Sequence, residues 1–311
     1  MTLSESTITL PMDAPAATAA QDVHAAYDGS NVLFRLLRLT TWGPGLMNLG
    51  YFRFRGPFAT FNLLTDLERA QRKLVLKSLG LLRIEPDHDV LDVACGRGKS
   101  SFIAHCLHPE SRIVGVDLLS RNIEVAKLLF GCSPELSYRP GDAMSLDFDD
   151  GSFDRVQCLE AAFHFPDRSR FLREAFRVLR PGGRLVVVDF AWSTDAEREH
   201  RDHPATRLVR DIWQWDDMYS VDEYVEEARS AGFEVSEQRD WSHRVTRPFQ
   251  AVFRGVLSLG TRRWGRRLLD RANPMFRNLT PADWSELVAI ADAHEFVQNR
   301  SRYMAYVFTK A

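Results

Sequence analysis

A short apolar strand that runs directly into a glycine loop and then into a helix constrains this chain more than any other feature. The strand ends near Asp92, the loop continues through Gly96 and Gly98, and a helical pattern covers Ser100–Leu107. Glycines at such a junction let the backbone turn sharply and approach a ligand, and the nearby helix N–H groups favour an anionic group. The unit predicts a ligand crevice at the carboxyl end of this strand.

Strands and helices alternate through the middle of the chain, which indicates a parallel sheet covered by helices on both faces. The predicted strands are Asp89–Val93, Arg112–Val116, Leu136–Arg139, Phe153–Leu159, Arg184–Phe190, Phe233–Trp241 and Tyr303–Thr309. The predicted helices between them are Ser100–Leu107, Arg121–Leu129, Arg168–Leu179 and Val221–Ser230. Gly232 is a plausible C-cap for the last helix, and Pro181–Gly183 is predicted to be a tight turn.

The flanks of this core are helical. Residues 21–80 show near-helical apolar spacing that is broken at Trp42–Gly45, and a second helix is predicted over Thr65–Ser78, ended by Gly80. Residues 246–298 are helical again. The predicted division of the chain is a disordered tail (1–20), an N-terminal helical cap (21–80), a core (81–190), a remaining core strand with helical cap insertions (191–298) and a final strand (299–311).

Bulk composition disfavours several classes of protein. The formal net charge of −2 gives no global attraction to nucleic acid, and no apolar run approaches the roughly 20 residues that a membrane helix needs. The first residues lack the basic and apolar segments of a signal peptide. The four cysteines form no C-x-x-C pair, so neither a zinc site nor a disulfide framework is expected, and a cytoplasmic location fits.

The glycine loop departs from the dinucleotide-binding pattern, because Ser101 stands where G-x-G-x-x-G has its third glycine. That departure suits a ligand without a diphosphate. Asp117 ends the next strand, about 20 residues past Gly96, the offset at which an acidic residue meets a ribose hydroxyl pair. Asp142 follows the third strand, where a carboxylate can accept the exocyclic amine of an adenine. Glu160 ends the fourth strand.

Each acidic residue also has a purely structural interpretation. Asp117 alone is compatible with a helix cap, and Asp142 alone is more typical of a turn. Their order along the chain, with each at the carboxyl end of a strand, favours a shared ligand crevice, because these strand ends meet at one edge of the sheet.

The stretch Val90–Phe190 resembles class I S-adenosylmethionine (SAM)-dependent methyltransferases. Leu159–Pro166 is similar to the segment after strand four in sterol C-methyltransferases, phthiotriol O-methyltransferases and rifamycin-type O-methyltransferases. The stretch from Tyr27 to Tyr51 resembles the same branch, which includes tocopherol methyltransferases, and Tyr303–Lys310 resembles the last strand of the phthiotriol enzymes. The resemblance implies a Rossmann-like α/β fold, with a seven-stranded sheet that is mostly parallel with one antiparallel strand and with helical N-terminal and C-terminal insertions forming a substrate cap.

The resemblance also implies SAM as the cofactor. The glycines would lie under its methionine part, Asp117 would hold the ribose, and Asp142 with Ala143 would hold the adenine. Glu160 would sit near the sulfonium, and two N-terminal tyrosines would close over the cofactor. The implied cofactor-binding set is Asp92, Ala94, Gly96, Gly98, Asp117, Leu118, Asp142, Ala143, Glu160, Tyr27 and Tyr51. No metal is expected.

Two residues are candidates for catalysis. His164 is the better base for an alcohol or phenol acceptor, both by its position after the fourth strand and by the ordinary pKa range of histidine. A structural alternative is that His164 caps a helix or bonds a backbone carbonyl. Glu160 is the second candidate. The leading prediction is O-methylation of a hydrophobic small molecule, such as a polyketide, terpenoid or lipid alcohol of natural-product metabolism.

Other functions stay open. C-methylation of a prenyl chain or another electron-rich carbon would build a carbocation, which needs aromatic faces and a carboxylate such as Glu160. A SAM-binding protein without catalysis is a different class. A nucleic-acid substrate is disfavoured, because no Asn-Pro-Pro-Tyr-type motif for a flipped base follows the fourth strand.

The acceptor pocket is expected between the N-terminal helices and the insertions at 191–232 and 246–298. Its candidate aromatic residues are Phe163, Phe165, Trp192, Trp213, Trp215, Tyr219, Phe249 and Phe253. The basic stretch Arg262–Arg271 is either a solvated helix face or a contact with a membrane surface or an anionic substrate group. Both a monomer and a homodimer are compatible with the sequence.

Overall fold

The computed structural model describes residues 31–40, 46, 48–52, 63–215 and 217–311. The predicted tail at 1–20, Tyr27 and the break at Trp42–Gly45 lie outside these described residues. Within them, no helix combines the length and the apolar character that crossing a membrane requires.

The core of the fold is one sheet. Its strands are β1 (Asp89–Val93), β2 (Arg112–Asp117), β3 (Leu136–Pro140), β4 (Phe153–Leu159), β5 (Leu179–Trp192), β6 (Glu234–Asp240) and β7 (Ser301–Thr309). The seven strands lie in the order β3-β2-β1-β4-β5-β7-β6. Strands β3 to β5 pair in parallel, and β7 runs antiparallel to both β5 and β6. The predicted sheet, mostly parallel with one antiparallel strand, is confirmed.

Helices surround this sheet. Within the described residues they are α1 (Val32–Thr40), α2 (Leu63–Leu82), α3 (Lys99–Leu107), α4 (Ser120–Phe130), α5 (Arg168–Val178), α6 (Asp195–Arg198), α7 (Pro204–Trp213), α8 (Val221–Ser230), α9 (Thr246–Gly260), α10 (Arg263–Ala272) and α11 (Pro281–Gln298). Sequence signals set several helix ends. Asp167 caps α5 by accepting the Arg170 N–H at 2.8 Å, and Ser220 with Glu223 forms a capping box at the start of α8.

The two faces of the sheet carry separate apolar clusters, as the period of two along β5 requires. Leu185 and Val187 face α5 and α8, whereas Val186 and Val188 face α2, α3 and α4. All four side chains are fully buried. The order of strands reverses at β1, which lies between β2 and β4, so the crevice for a ligand opens at the carboxyl ends of β1 and β4.

A helical layer covers this crevice. Helices α1, α9, α10 and α11 share an apolar cluster of their own, and its members include Phe34, Val252 and Trp284. A smaller cluster around Trp192 and Trp215 joins this layer to the end of β5. The layer is built from both ends of the chain, because α1 precedes the sheet in sequence and the other three helices lie between β6 and β7.

Two predicted glycine signals are wrong. Gly80 does not end α2, because Leu79, Leu81 and Leu82 are buried against the core and their packing continues the helix. Pro181–Gly183 is not a tight turn but an irregular part of β5, where the Gly182 N–H donates to Lys310 and the Lys310 N–H donates back to Gly183. Tertiary pairing outweighs the local signal in both places. Gly232 follows α8 with φ +104°, which confirms its predicted place at that helix end.

Candidate active site

The glycine loop is anchored by Asp92. The Asp92 carboxylate is buried and accepts hydrogen bonds from the Ser100 hydroxyl at 2.5 Å, the Ser101 hydroxyl at 2.7 Å and the Gln157 amide at 3.1 Å. Burial raises the pKa of Asp92, and these hydrogen bonds act against that rise. Ser101 therefore replaces the third glycine of the dinucleotide pattern with a hydroxyl that fixes the loop.

The loop backbone takes an unusual course. Ala94 and Gly96 both have positive φ, at +55° and +56°, and both line a cavity at the carboxyl ends of the strands. A non-glycine residue in this region is strained, and such strain concentrates at functional sites. Gly98 has a different role. A Cβ atom there would lie 2.6 Å from Ala126 and 2.7 Å from the Tyr138 ring, so this glycine permits close packing of the loop.

Asp117 and Asp142 line the same cavity. Both carboxylates also accept hydrogen bonds from nearby backbone N–H groups. Asp117 accepts the Gly96 N–H at 2.8 Å, the Leu119 N–H at 3.0 Å and the Asn122 amide at 3.0 Å. A carboxylate has about four acceptor positions, so Asp117 keeps capacity for a ligand hydroxyl. Asp142 accepts the Met144 N–H at 2.9 Å. Asp142 therefore stabilises a turn and also lines the cavity.

This first cavity encloses about 1290 Å³ including its open mouth. The predicted residues that line it are Asp92, Ala94, Gly96, Asp117, Leu118, Asp142, Ala143, Glu160 and His164. Two predicted cofactor residues do not line it. Gly98 packs under the loop, and Tyr51 lies edge-on against Trp241 at a ring distance of 5.6 Å.

Asn48 also lines the first cavity, and sequence reasoning missed it. Its side chain is buried, and its Oδ1 atom has no hydrogen-bond partner within the described part of the chain. Its backbone carbonyl accepts the Gln71 amide at 2.8 Å, which fixes the segment against α2. The resemblance around Asn48 points to Tyr51, and no local pattern distinguishes which residue of this stretch faces a ligand.

A second cavity of about 910 Å³ adjoins the first and is largely apolar. The predicted aromatic residues that line it are Phe163, Trp213, Trp215, Phe249 and Phe253. The other three predicted aromatic residues lie elsewhere. Trp192 is fully buried in the core, Phe165 lines the first cavity, and Tyr219 packs against Tyr224. Composition alone does not distinguish a core aromatic residue such as Trp192 from one that lines a cavity.

Glu160 lines both cavities. Its backbone has φ +50°, and its carboxylate accepts the Leu49 N–H at 3.1 Å and the Tyr303 hydroxyl. Burial raises the pKa of Glu160 to about 8, and the two hydrogen bonds act in the opposite direction. The carboxyl group thus sits at the junction of a polar cavity and an aromatic one, poised to change charge near neutral pH.

Of the two cavities described, His164 lines the first. Its Nδ1 atom lies 3.2 Å from the Gln214 carbonyl oxygen, to which the ring N–H donates. Burial lowers the pKa of His164 to about 4, so the ring is neutral at pH 7. The bond to a backbone carbonyl is the structural alternative that the sequence left open.

A buried ionic group supports the loop that carries these residues. The Arg168 guanidinium donates to the Ala162 carbonyl at 2.8 Å and to the Phe163 carbonyl at 3.1 Å. Asp189 lies 4.0 Å from Arg168 and accepts the Tyr224 hydroxyl at 3.0 Å. Burial raises the pKa of Asp189 to about 6. The group fixes the turn between β4 and α5 from beneath.

Comparisons with known proteins agree with this geometry. The family model described as "Methyltransferase domain" matches residues 91–187. The chain is 32% identical over 260 residues to the O-methyltransferase resE of Aspergillus sclerotiorum, covering 82% of this chain and 92% of the relative. It is 32% identical over 193 residues to the 27-O-demethylrifamycin SV methyltransferase of Amycolatopsis mediterranei (strain S699), covering 58% of this chain and 66% of that enzyme.

A solved structure extends the likeness of fold to the helical layer. The geranyl diphosphate C-methyltransferase of Streptomyces coelicolor A3(2) aligns with a TM-score of 0.71 at 16% identity, over 96% of this chain and all of the other. The expected class of enzyme and its cofactor SAM are confirmed. The chain belongs to the class I SAM-dependent methyltransferases.

Proposed function

We propose that this enzyme methylates a hydroxyl group of a hydrophobic small molecule. The observation that carries the proposal is the position of Glu160, whose carboxyl group is shared by the polar cavity and the aromatic cavity. A carboxylate at that junction can contact a cofactor from one side and an acceptor hydroxyl from the other. The relative named as an O-methyltransferase, with nine-tenths of its length covered, supports oxygen as the acceptor atom.

The residues of the first cavity fit SAM. The spare acceptor capacity of Asp117 suits the ribose hydroxyls, and the Asp142 carboxylate with the adjacent Ala143 backbone suits the adenine. The Asn48 Oδ1 atom lacks a partner in the described residues and suits the ammonium group of the methionine part. When bound, SAM supplies a methyl group already activated by a sulfonium.

Glu160 is proposed as the base. Its Oε atoms take the proton of the acceptor hydroxyl, while the Leu49 N–H and the Tyr303 hydroxyl stabilise the carboxylate. The aromatic walls of the second cavity exclude water and orient the acceptor, which is the main task in methyl transfer. His164 was the preferred base from sequence. Its low pKa and its place on the first cavity alone favour a positioning role instead.

C-methylation is kept as the second candidate. Phe163, Phe190 and Trp215 line the second cavity together with Glu160, and such aromatic faces beside a carboxylate would also stabilise a carbocation. The structural neighbour that methylates carbon in geranyl diphosphate is compatible with that chemistry. The two candidates differ in their products, because one forms a methyl ether and the other a carbon–carbon bond.

The deciding experiment uses purified enzyme, methyl-labelled SAM and a panel of hydroxylated and prenylated aromatic acceptors. The proposal predicts labelled methyl ethers of apolar phenols or alcohols, detected by mass spectrometry and NMR. Labelled methyl groups on carbon would support the second candidate. Binding of SAM without transfer to any acceptor would favour a SAM-binding protein without catalysis.

Two further proposals concern the surroundings of the site. Residues 21–80 and the helical insertions within 191–298 are proposed to form the substrate cap, supported by the cluster that α1 shares with α9 and α11. Peripheral membrane contact is proposed for α10, where Trp264 and Leu268 are more than half exposed beside several arginines. The protein should co-sediment with anionic vesicles, and Trp264→Ala should lose this binding.

A cytoplasmic location is proposed, and cell fractionation tests it. The oligomeric state is proposed to be a monomer or a homodimer, which analytical ultracentrifugation distinguishes.

A further inference from the structure

Polar side chains gather at one part of the otherwise apolar second cavity. Gln250, Gln298 and Ser301 line it there, and the same three residues line an adjoining polar surface groove. The Gln250 amide nitrogen donates to the Ala291 carbonyl at 3.1 Å, which leaves its oxygen able to accept a further bond. These three residues therefore form a polar boundary that the cavity and the groove share.

This polar boundary is separated from the reacting position. Ser301 and Tyr303 are two residues apart on β7 and lie on the same face of the sheet, about 7 Å apart along the strand. The Tyr303 ring reaches on to Glu160, to which its hydroxyl donates. An acceptor whose hydroxyl lies at Glu160 would therefore place a different part of its structure at Ser301.

The remaining polar pair of the cavity is already satisfied internally. The Trp213 indole N–H donates to the His294 Nε2 atom at 2.7 Å, and the His294 Nδ1–H donates to the Ile290 carbonyl at 2.7 Å. These bonds use both ring nitrogens of the histidine. The pair shapes the apolar wall, and the glutamines and Ser301 remain as the polar groups remote from Glu160.

Three arginines line the groove, and two of them are paired with acidic side chains. Arg254 is paired with Asp292 and Glu295, and Arg302 lies 3.5 Å from Asp240. Arg247 also lines the groove, is exposed and forms no ion pair within the described ranges of the chain. An unpaired guanidinium that borders the polar end of a substrate cavity favours a carboxylate, sulfate or phosphate.

We propose that the methyl acceptor is amphipathic, with its reacting hydroxyl at Glu160 and a negatively charged group at its far end bound by Arg247. The assignment rests on the proposed function, because it takes the second cavity to be the acceptor site. The apolar body of the acceptor fills the aromatic cavity, and its far end passes between Gln250, Gln298 and Ser301. The acidic group would raise the affinity for the acceptor and fix its orientation in the cavity.

The test compares two phenols of equal chain length, one a 4-alkylphenol and the other an ω-(4-hydroxyphenyl)alkanoate. Binding of each to the S-adenosylhomocysteine complex is measured by calorimetry over a series of lengths. The acid should bind about threefold to fivefold more tightly at its best length, as expected for one exposed ion pair. Arg247→Gln should abolish the preference, and Arg263→Gln on α10 is the matched control that should keep it.

Equal affinity for the two probes, or a preference that persists in Arg247→Gln, overturns the charged-end proposal. Failure of both probes to bind overturns it together with the assignment of the cavity. A preference for the acid that depends on Arg247, with no methyl transfer when SAM replaces S-adenosylhomocysteine, supports the inference and contradicts the proposed function.

Discussion

Replacing Glu160 by glutamine should sharply reduce activity and stabilise the protein, most strongly at alkaline pH. The Glu160 pKa rises from 4.5 to about 8 on folding, which corresponds to on the order of 5 kcal/mol of stability lost once the group must ionise. The glutamine oxygen can still accept the Leu49 N–H and the Tyr303 hydroxyl, so the hydrogen bonds of the site survive. The variant lacks the base, but it also avoids the unfavourable free energy of a buried charge.

The sign of the pH effect follows from proton linkage. Between pH 4.5 and about 8 the folded protein holds a proton on Glu160 that the unfolded chain has released, so stability decreases as pH rises through this range. Glu160→Gln removes this dependence. Activity runs the other way, because the base must be deprotonated. Turnover should therefore rise with pH up to a limit at or below about 8, since a bound sulfonium favours the carboxylate.

The assay combines thermal unfolding of the ligand-free protein at pH 6 and pH 9 with initial rates across the same range. We expect Glu160→Gln to lose about 10²-fold or more in turnover. The variant should be more stable than the wild type at both pH values, by on the order of 2 kcal/mol at pH 6 and on the order of 5 kcal/mol at pH 9. Tyr303→Phe, which removes one hydrogen bond to the carboxylate, should move the rate limb to higher pH. A Glu160→Gln protein that is less stable at both pH values, or as active as the wild type, would refute this reasoning.

Asp117→Asn should weaken SAM binding about tenfold to a hundredfold, since a charged hydrogen-bond acceptor is lost. Titration calorimetry checks this against Asp147→Asn, a change at an exposed residue outside the lining of the first cavity. His164→Gln should keep activity within about tenfold and leave the pH profile unchanged if His164 only positions its loop, whereas loss of the rate limb would make it the base. Gly98→Ala should cost about 2 kcal/mol or more in urea unfolding, because its Cβ would lie 2.6 Å from Ala126. The control Gly80→Ala, in open space on α2, should be neutral or stabilising by about 0.5 kcal/mol.

The sheet could be predicted because its signals are local. Strands β1, β2 and the second half of β5 are mostly apolar, and α5 has a distinct apolar face. The alternation of strands with helices extends the prediction to β3 and β4, whose sequences are more polar. The Pro181–Gly183 prediction was wrong because pairing with Lys310, far away in sequence, holds that segment in β5. A local signal cannot register a partner more than a hundred residues distant.

Site residues that directly follow strands could be predicted from the sequence, whereas those brought together by tertiary contacts could not. Asp117 and Asp142 follow strands directly, so their approach to the first cavity follows from topology. Tyr303 and Asn48 reach the site from opposite ends of the chain, and only the folded structure brings them beside Glu160 and the glycine loop. Aromatic pocket residues could be proposed as a group but not separated from core residues such as Trp192, because both kinds share one composition.

The most direct test of the central claim is a crystal structure of the enzyme with S-adenosylhomocysteine. We expect the adenine at Asp142, the ribose at Asp117, and the sulfur directed from the first cavity toward Glu160 and the mouth of the aromatic cavity. A nucleoside bound in the aromatic cavity, or a sulfur that faces away from Glu160, would contradict it.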